Sequence, residues 1–229
     1  GKQTEEEKEE YRKKETMYIY NDYAYQFFRE QYEANTDEAR RCRSYAEYSE
    51  DGVMKGRWES SYCKTIGLGY SPLRDNKFCE YARKKGLNMK VLLEMGLIAE
   101  NEEHPGVYYD FYRGRLMIPQ RDNYGRIVTF TARAINPQAE RKYLNSKDNL
   151  IYKKGTTIFG IDVALRVAKQ TGKVYLVEGA PDVMRLQSLG IGNAISCLGG
   201  SWSKEQLEVF SRFGCSLCFI PDRDLPKQG

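Results

Sequence analysis

A chain of 229 residues, 41% hydrophobic and 30% charged, is long enough for one large or two small cores under a large solvated surface. No run of about 18 apolar residues occurs and no signal-peptide pattern opens the chain, which predicts a cytoplasmic protein with no membrane partner. Six scattered cysteines do not make a disulfide framework, and a single histidine gives little support to histidine-based nucleophilic or acid–base schemes.

The first stretch, residues 2–15, mixes Glu with Lys and Arg and reads as a solvated helix or a frayed end. Tyr20, Tyr23, Phe27, Phe28 and Tyr32 then recur close to helical spacing. This predicts an aromatic helix face packed on its own domain, with a base-stacking platform as the alternative. Residues 35–60 show no clear period, and Arg40, Arg41 and Arg43 read as a solvated basic face. The glycines and proline of 66–72 read as a turn. Helices are predicted over 76–85 and 88–95, each closed by a glycine, Gly86 and Gly96. His104 falls in a polar loop.

Next comes a hairpin. The apolar run ending at Pro119 and the strand Ile127–Arg133 flank the turn residues Asp122, Asn123, Tyr124 and Gly125. Basic residues crowd here: residues 105–170 carry twelve Lys and Arg against five acids, whereas residues 171–229 carry six of each. Arg113 and Arg115, two apart on an extended segment, are expected to share a face. Lys142, Lys153 and Lys154 come from turns, where side chains reach outward. With Arg133 they predict either a soluble sheet surface or a phosphate-tracking groove, with Tyr143 and Asn145 available for sugar or base contacts.

The most informative stretch is 174–182. Val174–Val177 suit a strand, which ends in Glu178 and Gly179, and Pro181 and Asp182 open a helix closed by Gly190. The carboxyl end of a parallel strand is where open α/β sheets place ligands. The run Cys215–Ile220 repeats the design and leads to Asp222, Arg223 and Asp224, whose aspartates share a face. Cys215 and Cys218 form a C-x-x-C inside that run and read as core packing rather than a zinc site.

Two carboxylates at about 4 Å repel by roughly 4 kcal/mol at an effective dielectric of about 20. Four that converge either shift their pKa values upward or hold a cation. Oxygen ligands without His or Cys select Mg²⁺ or Mn²⁺. The basic segment just ahead of them suits a polyanion led toward bound metal. The competing account is unrelated surface acids at loop ends.

Glu178-Gly179-x-x-Asp182, then Leu198-Gly199, then Asp222-x-Asp224 resembles the Toprim signature of primases, type IA and II topoisomerases, some nucleases and recombination mediators. The motifs ahead of it narrow the choice: Gly67-Leu68-Gly69-Tyr70, Met95-Gly96-Leu97-Ile98, the run from Tyr109 to Pro119, Lys142-Tyr143-Leu144-Asn145-Ser146 and Lys154-Gly155. In this order they resemble the catalytic core of bacterial DnaG-type primases from about residue 62 to 224, with a looser likeness over 17–60 that suggests a phage or mobile-element variant.

The resemblance implies an α/β and α+β chain of three parts. Residues 1–60 form a helical segment and residues 61–170 a basic mixed α/β subdomain. Residues 171–229 form a Toprim subdomain, Rossmann-like with parallel strands in β-α-β-α-β order, expected to be incomplete at its C-terminal end. The family's metal-binding acids fall on Glu178, Asp182, Asp222 and Asp224, with Glu178, Asp222 and Asp224 catalytic. Its basic ridge falls on Arg113, Arg115, Arg133, Lys142 and one of Lys153 or Lys154.

The implied activity is metal-dependent, template-directed synthesis of short RNA primers on single-stranded DNA from nucleoside triphosphates. A replicative helicase would be engaged through regions absent here. Against the family's pattern, the N-terminal zinc-binding module is expected to be missing from this stretch, and Arg223 stands where Asp-Gly-Asp is usual. A Toprim nuclease sharing the acids, and a non-catalytic single-strand-binding module using only the basic face, are the rival readings.

Overall fold

In the computed structural model, which describes residues 4–49, 55–198 and 201–221, packing divides the chain into two compact units. One comprises residues 1–120 and 126–153, the other residues 121–125 and 154–229. Among the described residues no helix is long and apolar enough to cross a membrane.

The first unit opens with α1 (Glu5–Glu33), so the charged stretch and the aromatic stripe are one helix. Thr4 caps it reciprocally with Glu7: Glu7 N donates to Thr4 Oγ1 at 3.2 Å and Thr4 N to Glu7 Oε2 at 2.8 Å. The stripe is core, as its spacing predicts. Phe28 packs on Phe78 at a ring separation of 5.5 Å and meets Phe130 edge-on at 5.2 Å.

Over 35–60, where the sequence shows no clear period, the chain forms α2 (Asp37–Ala46), inside the segment expected to be helical. Thr36 caps it, accepting from Ala39 N at 3.2 Å, and its buried residues are the small Ala39, Cys42 and Ala46, too faint a stripe to read among charges. The basic cluster on it is partly structural. Arg40 pairs with Asp37, and the Arg43 guanidinium donates to the carbonyls of Tyr32 and Ala34, tying α2 to the end of α1.

A short parallel pair, β1 (Glu47–Tyr48) and β2 (Trp58–Glu59), leads into α3 (Ser60–Ile66). The predicted turn over 66–72 is in fact β3 (Gly69–Ser71), preceded by Gly67, which caps α3 with φ of 79°. Then follow α4 (Lys77–Lys84), α5 (Met89–Glu94) and the antiparallel pair β4 (Ile98–Glu100) and β5 (Tyr108–Asp110). The predicted hairpin is β6 (Arg115–Arg121) and β7 (Ile127–Ala134), and β8 (Tyr143–Asn145) completes a sheet in the order β3-β6-β7-β8.

Gly69 lets this sheet meet α1. A Cβ there would lie 2.6 Å from Phe28 Cβ and 3.1 Å from the Phe28 carbonyl carbon, so helix and strand approach too closely for any side chain. Gly69→Ala is expected to cost about 1–3 kcal/mol through overpacking. Equilibrium unfolding in urea checks this, and an unchanged midpoint would contradict the close approach.

In the second unit β9 (Ile158–Phe159) and α6 (Ile161–Thr171) precede β10 (Lys173–Val177), α7 (Ala180–Ser188), β11 (Ala194–Cys197), α8 (Lys204–Ser211) and β12 (Ser216–Phe219). The sheet order is β12-β10-β11-β9, with β10 parallel to both β11 and β12 and β9 antiparallel to β11. From β10 onward this is the expected β-α-β-α-β order. Residues from 154 onward join the same body because Ile158, Ala164 and Ala168 pack against Val174, Leu176, Ile195 and Phe210. Ser203 caps α8, and Gln206 Nε2 donates to Thr157 O at 2.8 Å.

The strand β12 does not repeat the buried design of β10. It lies at the sheet edge with every residue exposed, Phe219 at 57%. Cys215 is buried but Cys218 is exposed, so only half of the C-x-x-C packs in the core, and all six cysteines are free.

Candidate functional site

The acidic candidate begins where β10 leaves its core. Val174, Leu176 and Val177 are buried, and the chain surfaces at Glu178, which is exposed. Gly179, extended at φ −143° and ψ 164°, is the N-cap of α7, with Pro181 in the first turn. Its carbonyl accepts from Asp182 N at 3.1 Å and Val183 N at 3.2 Å. Asp182, half-buried in that first turn, has the sign the helix dipole favours.

A Cβ on residue 179 would lie 3.5 Å from Asp182 Oδ2 and 3.4 Å from Pro181 Cδ. Both are ordinary van der Waals distances, so a side chain here would sit against the carboxylate without a clash. Both acids stand at the carboxyl end of a parallel strand, where the sequence placed them. The neighbouring strand β12 delivers the chain to the same end: Ile220 N donates to Leu176 O at 2.9 Å, level with the last residues of β10.

Asp222, Asp224 and the intervening Arg223, like Gly199, lie outside the described residues. Among the described residues no group of three His, Cys, Asp or Glu side chains is placed to hold a metal. The donors present, the carboxylates of Glu178 and Asp182, are hard oxygens of the kind that suits Mg²⁺ or Mn²⁺.

The basic candidates belong to the first unit up to Lys153, and Lys154 opens the second run of the other. Arg113 and Arg115 do not share a face. Arg113 precedes β6 and is exposed, its guanidinium 5.3 Å from the Tyr109 ring centre. Gly114, at φ 63°, turns the chain, and Arg115 is buried at the start of β6, where Nη1 lies 3.5 Å from Ala132 O. Burial pulls the Arg115 pKa below its usual range.

Register gathers the others. Arg133 pairs with Tyr143 and Thr131 with Asn145 across β7 and β8, so all four side chains share one face. The Arg133 guanidinium lies 4.8 Å from the Tyr143 ring centre. Thr131 Oγ1 donates to Asn145 Oδ1 at 3.0 Å and accepts from Gln120 Nε2, which fixes the Asn145 amide. Lys142 is exposed just before β8, its carbonyl accepting from Ala134 N at 2.9 Å; Lys153 and Lys154 are exposed as well. Gln120 and Thr131 were not evident in the sequence, because β6 and β7 are buried on both faces and show no alternation.

Residues 27–165 match the family model for the N-terminal domain of the DNA primase catalytic core. The chain belongs to the DNA primase catalytic-core family. The DNA primase of Deinococcus radiodurans is 34% identical over 200 residues, covering 86% of this chain and 34% of that protein. This primase-family chain spans between about a quarter and a third of the length of the curated relatives it matches.

Solved relatives agree in fold. The zinc-binding and RNA polymerase domains of the Aquifex aeolicus primase superpose with a TM-score of 0.77 at 28% identity, over 92% of this chain and 48% of that one. The RNA polymerase domain of Mycobacterium tuberculosis primase DnaG, in complex with a double-stranded DNA oligomer bearing a 6-nucleotide overhang, gives 0.80 at 25% identity, over 92% and 64%. The mixed α/β primase core expected from the motifs is the fold observed.

Proposed function

We propose that the chain is the catalytic part of a primase, synthesising short RNA primers on single-stranded DNA from nucleoside triphosphates at the replication fork in the cytoplasm. The observation that carries this is the pairing of family membership with Glu178 and Asp182 at the carboxyl end of β10. In this reading residues 61–170 supply phosphate contacts and residues 171–229 the acids, with residues 1–60 as helical support.

Glu178, Asp182, Asp222 and Asp224 would hold Mg²⁺ or Mn²⁺, which supplies charge neutralisation for phosphoryl chemistry when bound. Arg133, Lys142, Lys153, Lys154 and Arg113 contact phosphates, Asn145 offers a fixed amide to sugar or base, and Arg115 supports the sheet beneath them. Catalysis is then positioning and electrostatics without a protein nucleophile. The DNA held by the M. tuberculosis domain supports a nucleic-acid ligand for this chain too.

The chain, incubated with single-stranded DNA, labelled nucleoside triphosphates and Mg²⁺, should yield short RNA products. A cut template would instead support the nuclease reading, and strand binding with neither product the binding-module reading. Lys142→Ala is expected to weaken single-strand binding and to lower the slope of log affinity against log salt by roughly 0.7. An unchanged slope in a salt titration would remove Lys142 from the phosphate contacts.

A further inference from the structure

Arg133 is held in a stack that reaches beyond its strand partner. Its guanidinium carbon lies 4.8 Å from the ring centre of Tyr143 and 5.8 Å from that of Tyr45. Arg57 places its own guanidinium 4.7 Å from the same Tyr45 ring. Tyr143 arrives by sheet register, but Tyr45 and Arg57 come from elsewhere. Tyr45 sits in the last turn of α2. Arg57 is set beside it by two backbone hydrogen bonds, Arg57 N to Ala46 O at 3.0 Å and Gly56 N to Glu47 O at 2.6 Å.

Two nitrogens of Arg133, Nε and Nη1, are shielded from solvent and have no acceptor. A guanidinium left unsatisfied in this way is costly, and buried groups of this kind call for a specific explanation. The aromatic faces offset part of the cost through cation–π attraction and fix the plane of a guanidinium whose side chain stays half-buried. Two guanidiniums on one ring also repel each other, a penalty that falls when an anion sits beside both.

We propose that Tyr45 and Arg57 are positioning residues for Arg133, holding its guanidinium plane in the stack so that the accessible edge of this half-buried side chain meets the oxygens of a phosphate group. This rests on the reading of Arg133 as a phosphate contact and adds two residues that the motifs do not include. The phosphate belongs either to the template strand or to the incoming nucleotide, which share this chemistry.

The test measures binding of the 229-residue chain to a labelled oligothymidylate and, separately, to a fluorescent ATP analogue. The variants are Tyr45→Leu, Tyr45→Phe, Arg57→Ala, Arg133→Ala and the pair Tyr45→Leu with Arg133→Ala, each checked for cooperative melting. Tyr45→Leu is expected to weaken one probe by about five- to tenfold, and Arg57→Ala by about two- to threefold. Tyr45→Phe should keep parental affinity because it keeps the ring face. In the Arg133→Ala background Tyr45→Leu should add nothing, since its effect passes through Arg133. The probe that weakens identifies the source of the phosphate.

If Arg133→Ala weakens binding while Tyr45→Leu and Arg57→Ala do not, or if the losses add, the positioning role is overturned and Arg133 keeps its own. If Arg133→Ala leaves both probes unaffected, the phosphate reading fails and the positioning role with it. Should Tyr45→Leu fail to melt cooperatively, Arg57→Ala decides the matter, because its exposed side chain can be removed without opening the core.

Discussion

Glu178→Gln is expected to lower primer synthesis by about 10²–10³-fold, with affinity for the single-stranded template held within about twofold. The substitution keeps the size of the side chain and removes its charge. Glu178 is exposed at the end of β10, so the core of Val174, Leu176 and Val177 beneath it is untouched and the fold should persist. A carboxylate about 4 Å from a unit positive charge contributes on the order of 4 kcal/mol at an effective dielectric of about 20, enough for a change of this size.

In the proposed reading the phosphate contacts come from residues such as Arg133 and Lys142, which belong to the other compact unit, so strand affinity should not follow the loss of synthesis. Asp182→Asn should act in the same direction with a smaller effect, because Asp182 is half-buried in a helix turn whose first N–H groups already attract anions. Product formation on a denaturing gel and strand binding by anisotropy separate the two quantities. Undiminished synthesis in Glu178→Gln, or a loss matched by lost binding, would remove Glu178 from the catalytic set.

The sequence was most legible where a local signal decides the structure. The glycine-closed helices α4 and α5, the hairpin around Asp122–Gly125 and the strand–acid–helix unit at 174–189 are set by punctuation and period within a few residues. Other features depend on what tertiary structure brings alongside. The three residues of β3 look like a turn because Gly69 is there for the approach of α1, and only pairing with β6 makes them a strand.

Arg115 is polar in sequence and buried in the sheet, whereas Leu217 and Phe219 are apolar and exposed at its edge. Composition fixes neither, because burial is decided by the elements that cover a residue. Within the candidate site the same division holds. Glu178 and Asp182 follow from a strand end, but the stacking of Arg57 and Arg133 on Tyr45 crosses distant segments and leaves no periodic trace.

Asp110 lies in the most recognisable motif of the first unit, yet its expected contribution is to stability. Asp110→Ala should lower the unfolding free energy by roughly 3–4 kcal/mol, from two buried N–H groups left unsatisfied and the loss of charge-assisted bonds. The carboxyl is 1% exposed and accepts from Phe78 N at 3.0 Å through Oδ2 and from Cys79 N at 2.8 Å through Oδ1. These are orphan donors in the first turn of α4, whose N-cap Asn76 is left-handed and makes no side-chain cap bond.

The strand β5 therefore supplies the cap that the helix lacks, and Asn76 Oδ1 returns the contact by accepting from Asp110 N at 3.1 Å. Losing the cap would also loosen Phe78, whose ring packs on Phe27 at 5.4 Å and on Phe28 at 5.5 Å, so local fraying would reach the aromatic core. Asp110→Asn keeps one acceptor and should cost about half as much. Urea unfolding followed by circular dichroism, with hydrogen exchange at the Phe78 and Cys79 amides, distinguishes the cap from a surface charge effect. A change below about 1 kcal/mol, the scale of an ordinary exposed ion pair, with those amides still protected would show that α4 is held by its apolar face alone.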